Sequence, residues 1–189
     1  MLQGKNVAIL VERDFEDSEV LEPLRAMRDA GAAVTVVGSG SQRSYWGKRR
    51  FANISADTSA EMVKAEDFDA IIIPGGYAPD KMRLHQPMID LVARANELGK
   101  LVAAVCHGPQ LLISANMVKG RRLTSWPSIA VDLRNAGARW VDEAVVQDGN
   151  LITSRKPADL PNFCSAIIKA LQAQGDKENA MAESSRERH

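Results

Sequence analysis

The feature that most constrains the fold of this chain is a set of short, unbroken apolar runs, each stopping abruptly at glycine, polar or reactive residues. Val7-Ala8-Ile9-Leu10-Val11, Ala70-Ile71-Ile72-Ile73 and Leu101-Val102-Ala103-Ala104-Val105 are of this kind. A strand that is apolar at every position must be covered on both faces, unlike the alternating strand of a half-exposed sheet. Between these runs apolar residues recur at helical spacing: Val20, Leu21, Leu24 and Met27 before Gly31, then Met88, Leu91, Val92, Ala95 and Leu98 before Gly99. Ala33 to Val37 reads as a further strand, so the β-loop-α-β order implies a parallel pair joined by a right-handed crossover. The expectation is an α/β fold with a mainly parallel central sheet covered on both faces. Ligands of such folds bind beyond the carboxyl ends of the strands, near the topological switch point. Function is therefore sought after Val11, Ile73 and Val105.

The remaining segments are read in the same way. Ser39 to Ala56 mixes Gly, Ser and basic residues with Tyr45, Trp46 and Phe51, and predicts a loop with a short irregular hairpin whose exposed groups suit a subunit contact. Helices are expected from His107 to Ala115 and from Ser128 to Ala136, a hairpin at Asp148-Gly149, and a last helix carrying Leu160, Phe163, Ile167, Ile168 and Leu171. At 189 residues, against about 150 per domain, one domain is expected over residues 1–174. Residues 175–189 are polar and charged, and predict a flexible tail.

Composition narrows the function classes. Lys+Arg and Asp+Glu number 24 each, so no excess positive charge favours nucleic-acid binding. The apolar runs fall well short of the roughly 20 residues of a membrane-spanning helix. No secretory leader is read at the N-terminus, and a cytoplasmic chain with reduced thiols is expected. Cys106, Cys164, His85, His107 and His189 have neither disulfide-framework nor zinc-site spacing, so no metal or cofactor is expected. Gly38-Ser39-Gly40 lacks the third glycine of a dinucleotide fingerprint, and Gly47-Lys48 lacks the partners of a phosphate loop. Trp126 and Trp140 read as core or interface aromatics, Cys164 as a buried apolar residue on the last helix, and His85 as exposed and without site partners.

Cys106-His107-Gly108 stands apart because it falls where a buried strand turns sharply into a helix, as in a nucleophile elbow with Cys in place of Ser. Amide groups at a helix N-terminus favour the thiolate, the reactive form. The alternative is a buried structural cysteine. Glu16 and Glu19 share one side of a first helical turn, where they serve either proton transfer or the helix dipole. Gly75-Gly76 offers unobstructed amides that, with that of His107, can form an oxyanion hole.

At these residues the chain resembles the PfpI (intracellular protease I-like) family of the class I glutamine amidotransferase-like superfamily, which also contains the Parkinsonism-associated redox chaperone. The resemblance spans residues 5 to 173. It rests on Phe15-Glu16-Asp17-Ser18-Glu19, Phe68-Asp69-Ala70, Pro74-Gly75-Gly76, Val105-Cys106-His107-Gly108-Pro109-Gln110, Gly120-Arg121, Asn135-Ala136-Gly137 and Pro157-Ala158-Asp159-Leu160. It implies a flavodoxin-like three-layer sandwich, assembled as dimers or hexamers, with Cys106 as nucleophile, Glu19 near its sulfur and Glu16 as a second acid. In peptidase-like relatives the residue matching His107 pairs with a glutamate of a neighbouring subunit; the matching position here is Asp80, one methylene shorter. Trp126 stands where relatives carry tyrosine. No histidine but His189 follows His107, which argues against an amidotransferase triad.

The resemblance implies a cofactor-independent, stress-protective enzyme acting on small reactive dicarbonyls or glycated protein and nucleotide adducts, as a glyoxalase or deglycase. A PfpI-type cysteine peptidase using Cys106 and His107 is an alternative. A redox sensor or chaperone with an oxidisable Cys106 is another.

Overall fold

The computed structural model describes residues 1–186. A seven-stranded sheet forms its centre, in the order β10-β11-β7-β6-β1-β2-β5. Its strands are β1 (Asn6–Val11), β2 (Ala33–Gly38), β5 (Thr58–Ser59), β6 (Ala70–Ile73), β7 (Leu101–Val105), β10 (Val145–Asp148) and β11 (Leu151–Ser154). All neighbours are parallel except β10 and β11, the hairpin expected around Asp148-Gly149. Two small sheets flank it: the antiparallel pair β3 (Ser44–Trp46) and β4 (Asn53–Ser55), and the parallel pair β8 (Arg122–Leu123) and β9 (Arg139–Trp140).

The apolar runs take the positions their composition demands. β6 and β7 are buried throughout, and β1 is buried from Val7 to Val11. Helices α1 (Asp17–Asp29) and α6 (Leu160–Arg186) pack together on one side of the sheet. The other side holds α2 (Ala78–Met82), α3 (Gln86–Glu97) and α4 (Pro109–Ser114). Right-handed crossovers running in opposite directions along the sheet, β1-α1-β2 and β6-α3-β7, put their helices on opposite faces. The result is a flavodoxin-like three-layer sandwich. A short α5 (Ala130–Asn135) follows a single 3-10 turn, where one continuous helix from Ser128 is expected.

The segment from Gly175 continues α6 as helix to Arg186, while 187–189 lie outside the described residues. Its polar composition removed the apolar periodicity by which helices are read, yet Gln172, Lys177, Glu178 and Ala180 are all good helix formers.

The chain leaves β1 toward β2 and β5, then returns to the opposite side of β1 with β6 and β7. The switch point therefore lies between β1 and β6. Their following loops are tied together, with Glu16 N–H donating to Gly75 O at 3.2 Å and Phe15 bridging Gly76. Among the described residues no helix is long and apolar enough to cross a membrane.

Candidate active site

The end of β7 makes the turn expected of an elbow. Cys106 has φ +61°, a left-handed conformation unfavourable for a residue with a Cβ. It is held by backbone bonds on both sides: Cys106 N–H donates to Ser154 O at 3.1 Å, and its carbonyl accepts Trp126 N–H at 2.9 Å. Gly108 permits the turn, because a Cβ there would sit 2.7 Å from the Ile73 carbonyl oxygen.

Glu19 reaches the same point from α1 and is fully buried. Its Oε2 accepts Gly75 N–H at 2.7 Å, and its Oε1 has no hydrogen-bond partner among the described residues. A Cβ on Gly75 would lie 2.7 Å from both Cys106 Cβ and Glu19 Oε2, so glycine is what lets the three segments meet. Burial pushes the Glu19 carboxyl up from 4.5 to about 7; the Gly75 amide opposes this and the charge of Glu16 adds to it.

The Gly75 amide thus holds Glu19 and is not an oxyanion donor as expected. The amides directed at the sulfur are those of Gly76 and His107. Gly76 (φ +75°) could carry no side chain, since a Cβ would lie 2.4 Å from Glu16 N. Burial, then the charge of Glu19, push the Cys106 thiol up to about 12 against the pull of the two amides and Lys48. The resting group is the thiol, because desolvation of a thiolate outweighs the few donors that face it.

His107 Nδ1 lies 3.4 Å from Cys106 Sγ, its Nε2 lies 3.4 Å from Ser128 Oγ, and its ring stacks on Trp126 at 6.4 Å between centroids. Trp126 is therefore a wall of the site, not a core aromatic. Burial, followed by the charge of Lys48, lowers the pKa of His107, which favours its neutral form. Asp80 is exposed on α2, and among the described residues no carboxylate forms an ion pair with His107. Glu16 is buried, and its carboxylate receives Lys48 Nζ at 2.7 Å and Arg49 Nε at 3.0 Å.

Lys48 and Arg49 are the residues that sequence reasoning missed. Asp17, also buried, holds their loop by accepting the amides of Arg49 (3.0 Å), Phe51 (3.0 Å) and Ala52 (2.8 Å). Gly47 must be glycine because a Cβ would fall 2.3 Å from the Asp17 carboxyl group. The available signal was the run Gly47-Lys48-Arg49-Arg50 in a segment without periodicity. Lys48 and Arg49, with Glu16, Gly76, Tyr77, Cys106, His107, Trp126 and Pro157, line a cavity of about 280 Å³.

His85 differs from expectation as well. Its Nε2 lies 3.5 Å from Oε2 of buried Glu12, which also accepts the hydroxyls of Ser39 and Ser41. Cys164 is buried on α6 as expected. Among the described residues no group of three or more His, Cys, Asp or Glu is arranged to hold a metal ion.

Residues 5–170 match the profile of the DJ-1/PfpI family. General stress protein 18 of Bacillus subtilis is 42% identical over 170 residues, covering 89% of this chain and 99% of that protein. Protein/nucleic acid deglycase 2 of Escherichia coli is 39% identical over 171 residues, covering 90% and 99% respectively. Among solved structures, Drosophila melanogaster DJ-1beta superposes with a TM-score of 0.82 at 34% identity, covering 88% of this chain and 90% of that one. A two-domain protein of Anabaena variabilis with DJ-1/ThiJ/PfpI-like and ferritin-like domains gives a TM-score of 0.87 at 48% identity. The match covers 89% of this chain but only 48% of that protein.

Proposed function

The chain belongs to the DJ-1/PfpI family, and from that premise we propose that it is a stress-protective deglycase or glyoxalase whose nucleophile is Cys106. Its substrates are reactive dicarbonyls or their early adducts with proteins and nucleotides. The observation that carries this reading is the meeting of a left-handed elbow cysteine, two backbone amides aimed at its sulfur and a buried carboxyl near 7. The deglycase names of relatives support it, and the stress-protein relative supports its protective character. A cytoplasmic location belongs to the same reading.

Cys106 and Glu19 act as a proton-sharing pair. As the thiol approaches the aldehyde carbon its proton passes to the Glu19 carboxylate. This removes the negative charge that opposed thiolate formation. Sγ then forms a bond to the aldehyde carbon, and the carbonyl oxygen takes up negative charge facing the amides of Gly76 and His107. Glu19 returns its proton to that oxygen, giving the hemithioacetal, and as carboxylate it then moves a proton from the hemithioacetal carbon to the neighbouring carbon, while the hydroxyl proton passes to the neighbouring oxygen, giving a hydroxyacyl thioester. Water cleaves the carbon–sulfur bond, releasing a hydroxy acid and restoring the thiol. In sum, one water adds to the dicarbonyl; the aldehyde carbon is oxidised and the adjacent ketone carbon reduced, with no external redox partner.

The test is hydroxy-acid formation from glyoxal and methylglyoxal without glutathione. Wild type turns over and Cys106→Ala does not. Equal activity in both removes Cys106 from the mechanism.

A second reading, a cysteine peptidase, is favoured by the 3.4 Å approach of His107 Nδ1 to Sγ. It would need Asp80 supplied across a homo-oligomeric interface. Peptide hydrolysis that depends on Asp80 and tracks the oligomer in gel filtration would move the assignment there.

A further inference from the structure

The charges lining the cavity are distributed unevenly with respect to solvent. Glu16 is the counter-ion of both Lys48 and Arg49, yet only 6% of its side chain is exposed, against 30% for Lys48 and 59% for Arg49. One carboxylate therefore lies beneath two cations. Arg49 binds Glu16 through Nε, and its Nη1 and Nη2 have no hydrogen-bond partner among the described residues. The fork is nevertheless positioned, because Asp17 fixes the Arg49 backbone and Glu16 fixes the near edge of the guanidinium. Lys48 is placed by Glu16 and by the Tyr77 ring, 5.6 Å from its ammonium. The lining also includes Trp126 and Pro157, which carry no charge.

A guanidinium whose two terminal nitrogens are open and whose stem is held presents paired donors matched to carboxylate or phosphate oxygens. We infer that Arg49 and Lys48 form an anion subsite in the Cys106 cavity. It selects carbonyl substrates that carry a carboxylate or phosphate close to the reacting dicarbonyl. The inference rests on the chemistry proposed above for the reacting group and is independent of it for the anion. At about 280 Å³ the cavity suits a small anionic molecule or the modified end of a larger adduct.

The test compares alkylation of Cys106 by iodoacetate and iodoacetamide. Both form a carbon–sulfur bond with loss of iodide, and they differ in carrying a carboxylate or a neutral amide. The iodoacetate/iodoacetamide rate ratio at Cys106, normalised to that of N-acetylcysteine, is expected to be raised about tenfold at low salt by one charge-assisted contact. It should collapse toward that of the free thiol in Arg49→Gln and recover in part in Arg49→Lys. A wild-type ratio equal to that of the free thiol overturns the inference. If Cys106 resists both reagents, calorimetric titration with inorganic phosphate decides: heat that is lost in Arg49→Gln supports the subsite, and its absence in wild type overturns it.

Turnover then separates the ligand chemistries and the two proposals. A kcat/KM for 4,5-dioxopentanoate above that for methylglyoxal identifies a carboxylate site, and preference for hydroxypyruvaldehyde phosphate identifies a phosphate site. A raised alkylation ratio without turnover of any dicarbonyl sustains the subsite while refuting the deglycase reading. Turnover with an unraised ratio does the reverse.

Discussion

Cys106 and Cys164 are alike in exposure and in thiol acidity. Each is 6% exposed, each is a free thiol, and burial is the first cause pushing each up to about 12. Their surroundings differ. Cys164 lies inside α6 beside Phe163 and Ile167, and the charge of Glu22 raises its pKa further. Cys106 sits at a strained turn between two strand ends, with amides, a histidine and a titratable carboxyl around its sulfur and a cavity in front of it. On the proposed mechanism, neither exposure nor thiol acidity sets Cys106 apart; what does is a proton acceptor and two amides arranged around its sulfur before reaction begins.

The sharpest way to break this contrast is to exchange the roles by mutation. Cys106→Ala is expected to lower dicarbonyl turnover at least about 10³-fold, whereas Cys164→Ala keeps turnover within about twofold of wild type and costs about 1 kcal/mol in urea unfolding. Mild peroxide should place a sulfinic acid on Cys106 and leave Cys164 unmodified, as read by peptide mass.

Glu19→Gln keeps an acceptor for the Gly75 amide but removes the proton carrier, so kcat should fall about 10²-fold or more. In wild type, kcat/KM should rise with pH through about 7 as Glu19 becomes able to accept the thiol proton, and this limb should vanish in the variant. The stability effect has the opposite sense. The folded-state value of about 7 lies above 4.5, so this group's contribution is complete below 4.5 and is lost as pH rises through 7. Glu19→Gln should therefore be more stable than wild type at pH 8, by up to about 3 kcal/mol, and nearly equal to it at pH 4.

Asp17→Ala probes the loop that Cys164 has no counterpart for. It leaves three amide donors without their acceptor, so a loss of about 2 kcal/mol and faster hydrogen exchange at Arg49, Phe51 and Ala52 are expected. The smallest effect is assigned to Trp126→Phe, which keeps an aromatic wall against His107 and should change KM by less than about threefold.

The strands were legible because Ile71-Ile72-Ile73 and Leu101 to Val105 admit no exposed face. The elbow was legible because Cys106-His107-Gly108 follows such a strand directly. Glu19 was visible as one of two acids in a helical turn, but its helix-dipole reading could not be set aside until its carboxyl was seen on the Gly75 amide. Lys48, Arg49 and Asp17 were not legible. The loop from Gly47 to Ala52 has no periodicity, and its place is set by side-chain-to-amide bonds spanning more than thirty residues of sequence. Glu12 and His85 escaped for the same reason, being 73 positions apart in the chain and joined only by the packing of α3 against the sheet.

Local sequence by itself determined the alternation of buried strands and covering helices, and the sharp turn that carries Cys106, because apolar periodicity and backbone sterics act over a few residues. Tertiary structure alone decided which amides face the sulfur, which one is taken by Glu19, and that burial leaves Cys106 a thiol. It also decided that two cations cover one carboxylate at the mouth of the site. Such properties depend on distances between segments remote in sequence and on how far water is excluded from them, and both are set only when the layers close.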